Sequence, residues 1–301
     1  MKVVVAGAGT IGSLFAAHLA RVADASVLVR REEHARALND AGLRVSGHSD
    51  FTARVDAATD PAELGDAELV IVACKGGDLE TVATGLAGSF PGATVMTTQN
   101  GLGAEEIVGA HGDWPLLSAV TFMSGTRHGD AHVEYVLDTA TWIGPYRDTT
   151  GDDARRVAEL LVSAGLKAEG FDDLRPAQWS KLIFNATVNA TAALTGLPHD
   201  VHFAEGELGR LVHGLVDEGK AVAAAAGVEL GEDPWEMNVL ATKRGHRHYP
   251  SMLEDVRSTR PTEIELITGS LLREAKKHEV PVPLHAALYA LVRGKEASYG
   301  C

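Results

Sequence analysis

The run KVVVAGAGTIGSLFAAHLA constrains the fold more than any other part of the chain. A β-rich stretch enters Gly7-Ala8-Gly9-Thr10-Ile11-Gly12 directly, and a helical pattern opens there. In that order each glycine has its own purpose. Gly7 allows a tight turn, Gly9 lets backbone approach a pyrophosphate, and Gly12 lets helix lie close on strand. The helix N-terminus adds N–H groups and a partial positive charge for phosphates. Residues 7–12, Thr10 and Ile11 included, are therefore expected to bind a dinucleotide. A secretory leader is the competing reading of an apolar run with one lysine. Three glycines, Thr10, Ser13 and His18 interrupt that run and argue against it.

The pattern alternates after this opening. SVLVR reads as a second strand and EEHARALNDAG as a helix closed by Gly42. ELVIVAC is a continuous apolar run, as expected of a parallel strand covered on both faces. DLETVATGLAGSF reads as helix, ATVMTTQNG as strand, LLSAVTFMSGT, HVEYV and TATWIG as strands, and DDARRVAELLVSAG as helix. Strands alternating with helices predict an α/β Rossmann-type, doubly wound parallel sheet over residues 1–171. Beyond Leu174 the strand signal fades. Residues 176–194, 205–226, 262–278 and 283–294 show helical periodicity, so 172–301 is expected to form a second, all-helical domain.

Composition narrows the ligands. A formal net charge of −14 is a poor match to a nucleic acid, which needs clustered Lys and Arg. Cys74 and Cys301 are the only cysteines, which gives no disulfide framework or zinc pattern and suits a reducing cytoplasm. No stretch approaches the ~20 apolar residues of a membrane span. A small molecule is the expected partner, with no metal, and a homodimer is left open.

Cofactor choice is read at the end of the second strand. NAD enzymes usually place Asp or Glu there to accept from the ribose hydroxyls. Here the strand runs into Arg30-Arg31, whose guanidiniums suit an adenosine 2′-phosphate, and NADPH/NADP+ is expected. Glu32 and Glu33 follow at once, so a shifted register would restore NAD use. Two more loops fall where strand C-termini meet a ligand in open α/β sheets. Lys75 is either a cation aimed at an anionic ligand or the first solvated residue. Asn100 begins an Asn-Gly pair that is also a common turn.

WSKLIFNATVN carries the reaction chemistry. Lys181, Asn185 and Asn189 recur at i, i+4 and i+8, one stripe of an otherwise apolar helix. Reduction of a ketone needs a proton for the developing alkoxide, and a semi-buried lysine with a lowered pKa is a fitting donor. Asn185 can hold the lysine or substrate without competing for the proton. A snorkelling lysine with core-satisfied amides is the alternative.

AGAGTIG, Arg31-Glu32-Glu33-His34, Cys74-Lys75, Gln99-Asn100-Gly101, WSKLIFNATVN and PSMLEDVRSTRPTEIELITG together resemble the 2-dehydropantoate 2-reductase (ketopantoate reductase) family, nearly end to end. The resemblance implies NADPH-dependent reduction of ketopantoate to (R)-pantoate in pantothenate and coenzyme A biosynthesis. It implies Lys181 as general acid and Glu263 as the residue that positions substrate and lysine. It further implies Asn100, Asn185 and Ser251 as substrate contacts, with Lys75 near cofactor and substrate. Asn189 is the remaining substrate-binding candidate on the stripe. From the residues alone, Glu263 reads as a dipole-complementing acid in the first turn of a helix, and Ser251 as the N-cap of MLEDVRS. Two departures bear on the substrate. His199 stands where the best-known reductases carry another substrate-contacting asparagine, and His246 and His248 lie beside the expected substrate loop. Another branched 2-keto acid, or a non-catalytic dinucleotide sensor, are the competing functions.

Overall fold

The computed structural model describes residues 1–199, 206–231, 233–244 and 249–300. Two compact units divide the chain: residues 1–99 with 104–174, and residues 100–103 with 175–301. His246, His248 and Cys301 lie outside the described residues.

The first unit contains, among its described residues, strands β1 (Lys2–Ala6), β2 (Asp24–Leu28), β3 (Leu43–Gly47), β4 (Phe51–Ala53), β5 (Asp56–Ala58), β6 (Leu69–Val72), β7 (Thr94–Thr97), β8 (Leu116–Thr121), β9 (Ser124–Gly129), β10 (His132–Leu137), β11 (Thr141–Arg147) and β12 (Ala168–Gly170). Its helices are α1 (Thr10–Leu19), α2 (Glu32–Ala41), α3 (Leu79–Leu86), α4 (Ala104–Gly109) and α5 (Gly151–Ser163). The main sheet runs β12-β11-β8-β7-β6-β1-β2-β5. It is mostly parallel and doubly wound, as expected. β11 is the exception and pairs antiparallel with β8. The chain leaves β8 for a hairpin, β9–β10, and returns in the opposite direction.

That hairpin belongs to a second sheet, β4-β3-β10-β9, absent from the sequence reading. LLSAVTFMSGT is thus not one strand but two, in different sheets. The strand order reverses at β1, which lies between β6 and β2. In open α/β sheets such a reversal leaves a crevice at the carboxyl ends of the strands. β1 and β6 are buried along nearly their whole lengths, which accounts for their continuous apolar composition.

The second unit contains α6 (Arg175–Thr195), α7 (Glu207–Ala225), α8 (Pro234–Arg244), α9 (Ser251–Arg257), α10 (Ser270–Lys277) and α11 (Pro283–Ala297). A π-helical turn, Glu265–Gly269, leads into α10. α6 is buried on nearly every side, as expected of a helix at the centre of a bundle. Its neighbour α7 crosses closely because position 219 is glycine: a Cβ there would lie 2.9 Å from the Ile183 side chain. Among the described residues, no helix is long and apolar enough to cross a membrane.

Candidate active site

The glycine turn has the geometry its sequence implies. Gly7 has φ +106°, and a Cβ there would lie 2.8 Å from the Cys74 backbone nitrogen, so β1 and the end of β6 meet through this bare position. At Gly12 a Cβ would fall 1.9 Å from the Gly7 carbonyl oxygen, so α1 rests directly on the turn. Gly9 differs: a Cβ there would meet nothing within 4 Å. Open space over Gly9, beside the N-terminus of a ten-residue helix with no side-chain cap, fits a phosphate group. Thr10 and Ile11 are half-buried in the first turn. The Thr10 methyl is one of the atoms a Cβ at Gly125 of β9 would meet, at 3.0 Å.

Arg30 and Arg31 follow β2, and each has a carboxylate partner distant in sequence. Arg30 pairs with Asp78 at 3.1 Å, both well exposed. Arg31 donates to Asp130 at 2.6 Å, and Arg127 donates to the same oxygen at 2.5 Å. Partial burial alone would raise the Asp130 pKa, but the two guanidiniums and His34 hold it below the usual carboxylate range. Burial pushes the His34 imidazole down, towards its neutral form. Two cations thus share one anion. Exposed pairs of this kind contribute about 0–1 kcal/mol, so an incoming anion can claim the arginines at small cost. Asp78 and Asp130 were not legible as partners of Arg30 and Arg31 because no local pattern joins residues 48 and 99 positions apart.

Lys75 is exposed and precedes a 3₁₀ turn, Gly76–Asp78. The adjoining loop is tied down by Gln99, whose Nε2 donates to the carbonyls of Val72 and Cys74 at 3.0 and 2.9 Å. Directly after it the chain changes unit. Asn100–Gly103 groups with the helices, and Leu102 N–H donates to the Leu266 carbonyl at 3.1 Å.

That insertion builds the polar centre of the second unit. Asn100 Nδ2 donates to Glu263 Oε2 at 3.0 Å, and Asn185 Nδ2 approaches Asn100 Oδ1 at 3.5 Å. Lys181 lies one turn before Asn185 on α6 and is 8% exposed. Its pKa is lowered to about 8, because burial disfavours the ammonium more strongly than the negative charge of Glu263 favours it. Asn100, Lys181, Asn185 and Glu263 therefore form one cluster. The sequence predicts Glu263 in the first turn of a helix, and the structure corrects this. Glu263 stands in a bend before the π-helical turn, and its carbonyl accepts from Ile267 N–H at 3.0 Å. π-helical turns recur at functional sites because the widened turn re-aims neighbouring groups.

Two expected members stand apart from this hydrogen-bonded cluster among the described residues. Asn189 is buried one turn beyond Asn185. Ser251 is exposed in the first turn of α9, and the N-cap position is Pro250 rather than Ser251. His199 is buried, its ring stacked on Phe184 with centroids 5.4 Å apart and Nε2 3.4 Å from the Asn238 carbonyl. No group of three or more His, Cys, Asp or Glu among the described residues could hold a metal ion.

Comparison with known proteins covers both units. The family described as ketopantoate reductase PanE/ApbA matches residues 3–148, and its C-terminal part matches residues 173–296. A 2-dehydropantoate 2-reductase of Halobacterium salinarum is 33% identical over 97% of this chain and 98% of its own. Another from Pyrococcus abyssi is 27% identical over 100% and 99%. A PanE/ApbA family ketopantoate reductase of Ralstonia eutropha superposes with a TM-score of 0.92 at 27% identity, over 100% of both chains. D-mandelate dehydrogenase, solved with NADH and anilino(oxo)acetate, shares the fold with a TM-score of 0.88 at 24% identity, again over 100% of both chains.

Proposed function

Because the chain belongs to the ketopantoate reductase PanE/ApbA family, we propose that it reduces 2-dehydropantoate to (R)-pantoate with NADPH, serving pantothenate and coenzyme A synthesis. The observation that carries this reading is the buried Lys181, poised at about 8 beside Glu263. Reduction adds a hydride to the keto carbon and a proton to the keto oxygen. A bound nicotinamide supplies the hydride. Lys181 gives its proton to the oxygen, and its positive form stabilises the alkoxide as that develops. Glu263 offsets the burial of the ammonium and so keeps the acid charged near neutral pH. Asn100 fixes the Glu263 carboxylate, while Asn185 offers an amide that orients without competing for the proton. Asn189 and Ser251 are secondary candidates for substrate contact.

The glycine turn and the paired arginines support a phosphorylated dinucleotide. Gly9 and the start of α1 would hold the pyrophosphate, with Thr10, Ile11 and Lys75 around it. Arg30 and Arg31 would exchange their carboxylates for the 2′-phosphate. A Gly9→Val protein is expected to keep the wild-type apo melting temperature, since its Cβ meets nothing, yet bind NADPH at least about tenfold more weakly, or about 1.4 kcal/mol. Isothermal titration and a thermal melt separate the two effects. Unchanged NADPH affinity would remove the turn from the cofactor site.

A second reading, another branched 2-keto acid on the same scaffold, is favoured by His199, a buried imidazole beside α6. NADPH oxidation with 2-dehydropantoate and with 2-ketoisovalerate distinguishes them, with NADH as the cofactor control. The expected result is a kcat/KM at least about tenfold higher for 2-dehydropantoate, because only it carries the extra hydroxyl that polar groups can recognise. Equal values select the second reading. NADPH binding without turnover of any keto acid would leave a dinucleotide sensor.

A further inference from the structure

We propose that Glu296 and Tyr289 of α11 are positioning residues for this reduction, gripping the chain on either side of Glu263 and so fixing its carboxylate for Lys181. The inference rests on the reaction proposed above and extends it to a helix that carries none of Asn100, Lys181, Asn185 and Glu263.

Glu296 Oε1 accepts from both the backbone N–H and the hydroxyl of Thr262, at 2.7 and 2.8 Å. Its other oxygen accepts from Arg293 at 3.0 Å, so both carboxylate oxygens are engaged and the side chain is only 12% exposed. Thr262 Oγ1 in turn accepts from Ile264 N–H at 3.2 Å, closing a small loop around Glu263. On the far side, Tyr289 donates to Glu265 Oε2 at 2.5 Å, and Arg273 donates to Oε1 at 2.6 Å. Position 269 is bare: a Cβ there would lie 3.0 Å from Glu265 Oε1 and 3.3 Å from the Tyr289 ring. Tyr289, Arg293 and Glu296 recur at i, i+4 and i+7, one face of α11.

A helix-surface glutamate ordinarily pairs with a lysine or arginine one turn away and contributes little. Glu296 instead directs one oxygen at residue 262, 34 positions earlier and next to Glu263. Thr262, one residue before Glu263, and Glu265, two after it, are both held from one helix, while Asn100 holds the carboxylate. Displacements near 1 Å can cost about 10²-fold in rate, so a rigid backbone here matters more to turnover than to the fold. The negative charge of Glu263 favours the Lys181 ammonium. Releasing Glu263 therefore has a second signature: the lysine loses its favourable partner and gives up its proton at lower pH.

The test compares Glu296→Ala, Glu296→Gln and Tyr289→Phe with the wild type. Two readouts are taken: kcat and KM against pH with NADPH and 2-dehydropantoate, and the Lys181 titration followed by NMR in the apo protein with carbon-13-labelled lysine. Glu296→Ala is expected to lower kcat about tenfold with KM for NADPH unchanged. Its Lys181 titration should move down by about 0.5 to 1 pH unit. Glu296→Gln retains an oxygen able to accept both Thr262 bonds and is expected to restore most of kcat. Tyr289→Phe should show the same changes at smaller size, and it carries the test if Glu296→Ala does not fold. A lower melting temperature with wild-type kcat per folded protein and a wild-type Lys181 titration would overturn the proposal. Equal losses in Glu296→Ala and Glu296→Gln would do the same. The apo titration is read without turnover, so it stands apart from any failure of the proposed reaction.

Discussion

Lys181→Ala is expected to reduce kcat by about 10²–10⁴-fold while NADPH affinity stays close to wild type. Lys181 lies in the second unit, whereas the glycine turn and the arginine pair lie in the first, so each property has its own residues. The pH profile gives a sharper form of the same prediction. A general acid works only while protonated, and burial brings the Lys181 pKa from 10.5 down to about 8. Wild-type kcat/KM is therefore expected to be flat near neutrality and to fall as pH rises through about 8. Stability moves the opposite way across the alkaline range. Between about 8 and 10.5 the unfolded lysine holds a proton that the folded one has released, so on this account the fold gains stability as pH rises through that window. Lys181→Arg separates charge from proton. A guanidinium retains positive charge but does not release a proton in this range. It should preserve much of the substrate affinity and little of kcat. Lys181→Ala with wild-type turnover, or a profile without the limb near 8, would assign the proton to another group.

The parts of this protein that were legible in its sequence are those whose cause is local. β1, the glycine turn and α1 follow one another within 20 residues, and their order alone fixes the geometry. The stripe of Lys181, Asn185 and Asn189 was equally plain, because helical periodicity stacks i, i+4 and i+8 whatever the surroundings. The second sheet was not legible. LRVSG and FTA are too short and mixed to show a period, and β3 becomes a strand by pairing with β10, Arg44 opposite His132. Arg30 and Arg31 could be read as cations, but Asp78 and Asp130 become their partners only through the folded chain.

Glu263 shows the same limit within the site. Pro261 followed by acidic residues reads as the start of an ordinary helix, and sequence carries no separate period for a π-helical turn. Gly269 N–H bonds to the Ile264 carbonyl five residues back at 2.9 Å, and that widened turn is what leaves Glu263 in the bend before it. The Glu263 carboxylate accepts from Asn100, 163 positions away. Neither residue announces the other, and their meeting depends on one glycine between them in the docked segment.

Gly101→Ala is accordingly expected to be the most damaging small substitution in the second unit. Gly101 has φ +95°, a conformation that L side chains rarely adopt, and its Cβ would lie 1.7 Å from the Leu266 carbonyl oxygen. That oxygen accepts the Leu102 N–H at 3.1 Å, so the segment cannot back away without breaking its own anchor. Leu266 belongs to the π-helical turn, which cannot shift freely either, because Glu265 is held by Arg273 and Tyr289. Strain and clash add, and a loss of about 2–4 kcal/mol is expected in urea unfolding. Function should fall further than stability accounts for. Displacing the segment withdraws Asn100 from Glu263, and kcat/KM measured well below the melting temperature is expected to drop about 10²-fold. Gly103→Ala is the control within the same segment: it too has positive φ, at +101°, but its Cβ would meet only the end of Arg273 at 4.0 Å. It should therefore show backbone strain alone, with a smaller stability loss and near-normal turnover. If the two alanine variants behave alike, the contact with Leu266 does not set the position of Asn100. If Gly101→Ala alone loses turnover, the bare approach at residue 101 is what places Asn100 on the Glu263 carboxylate.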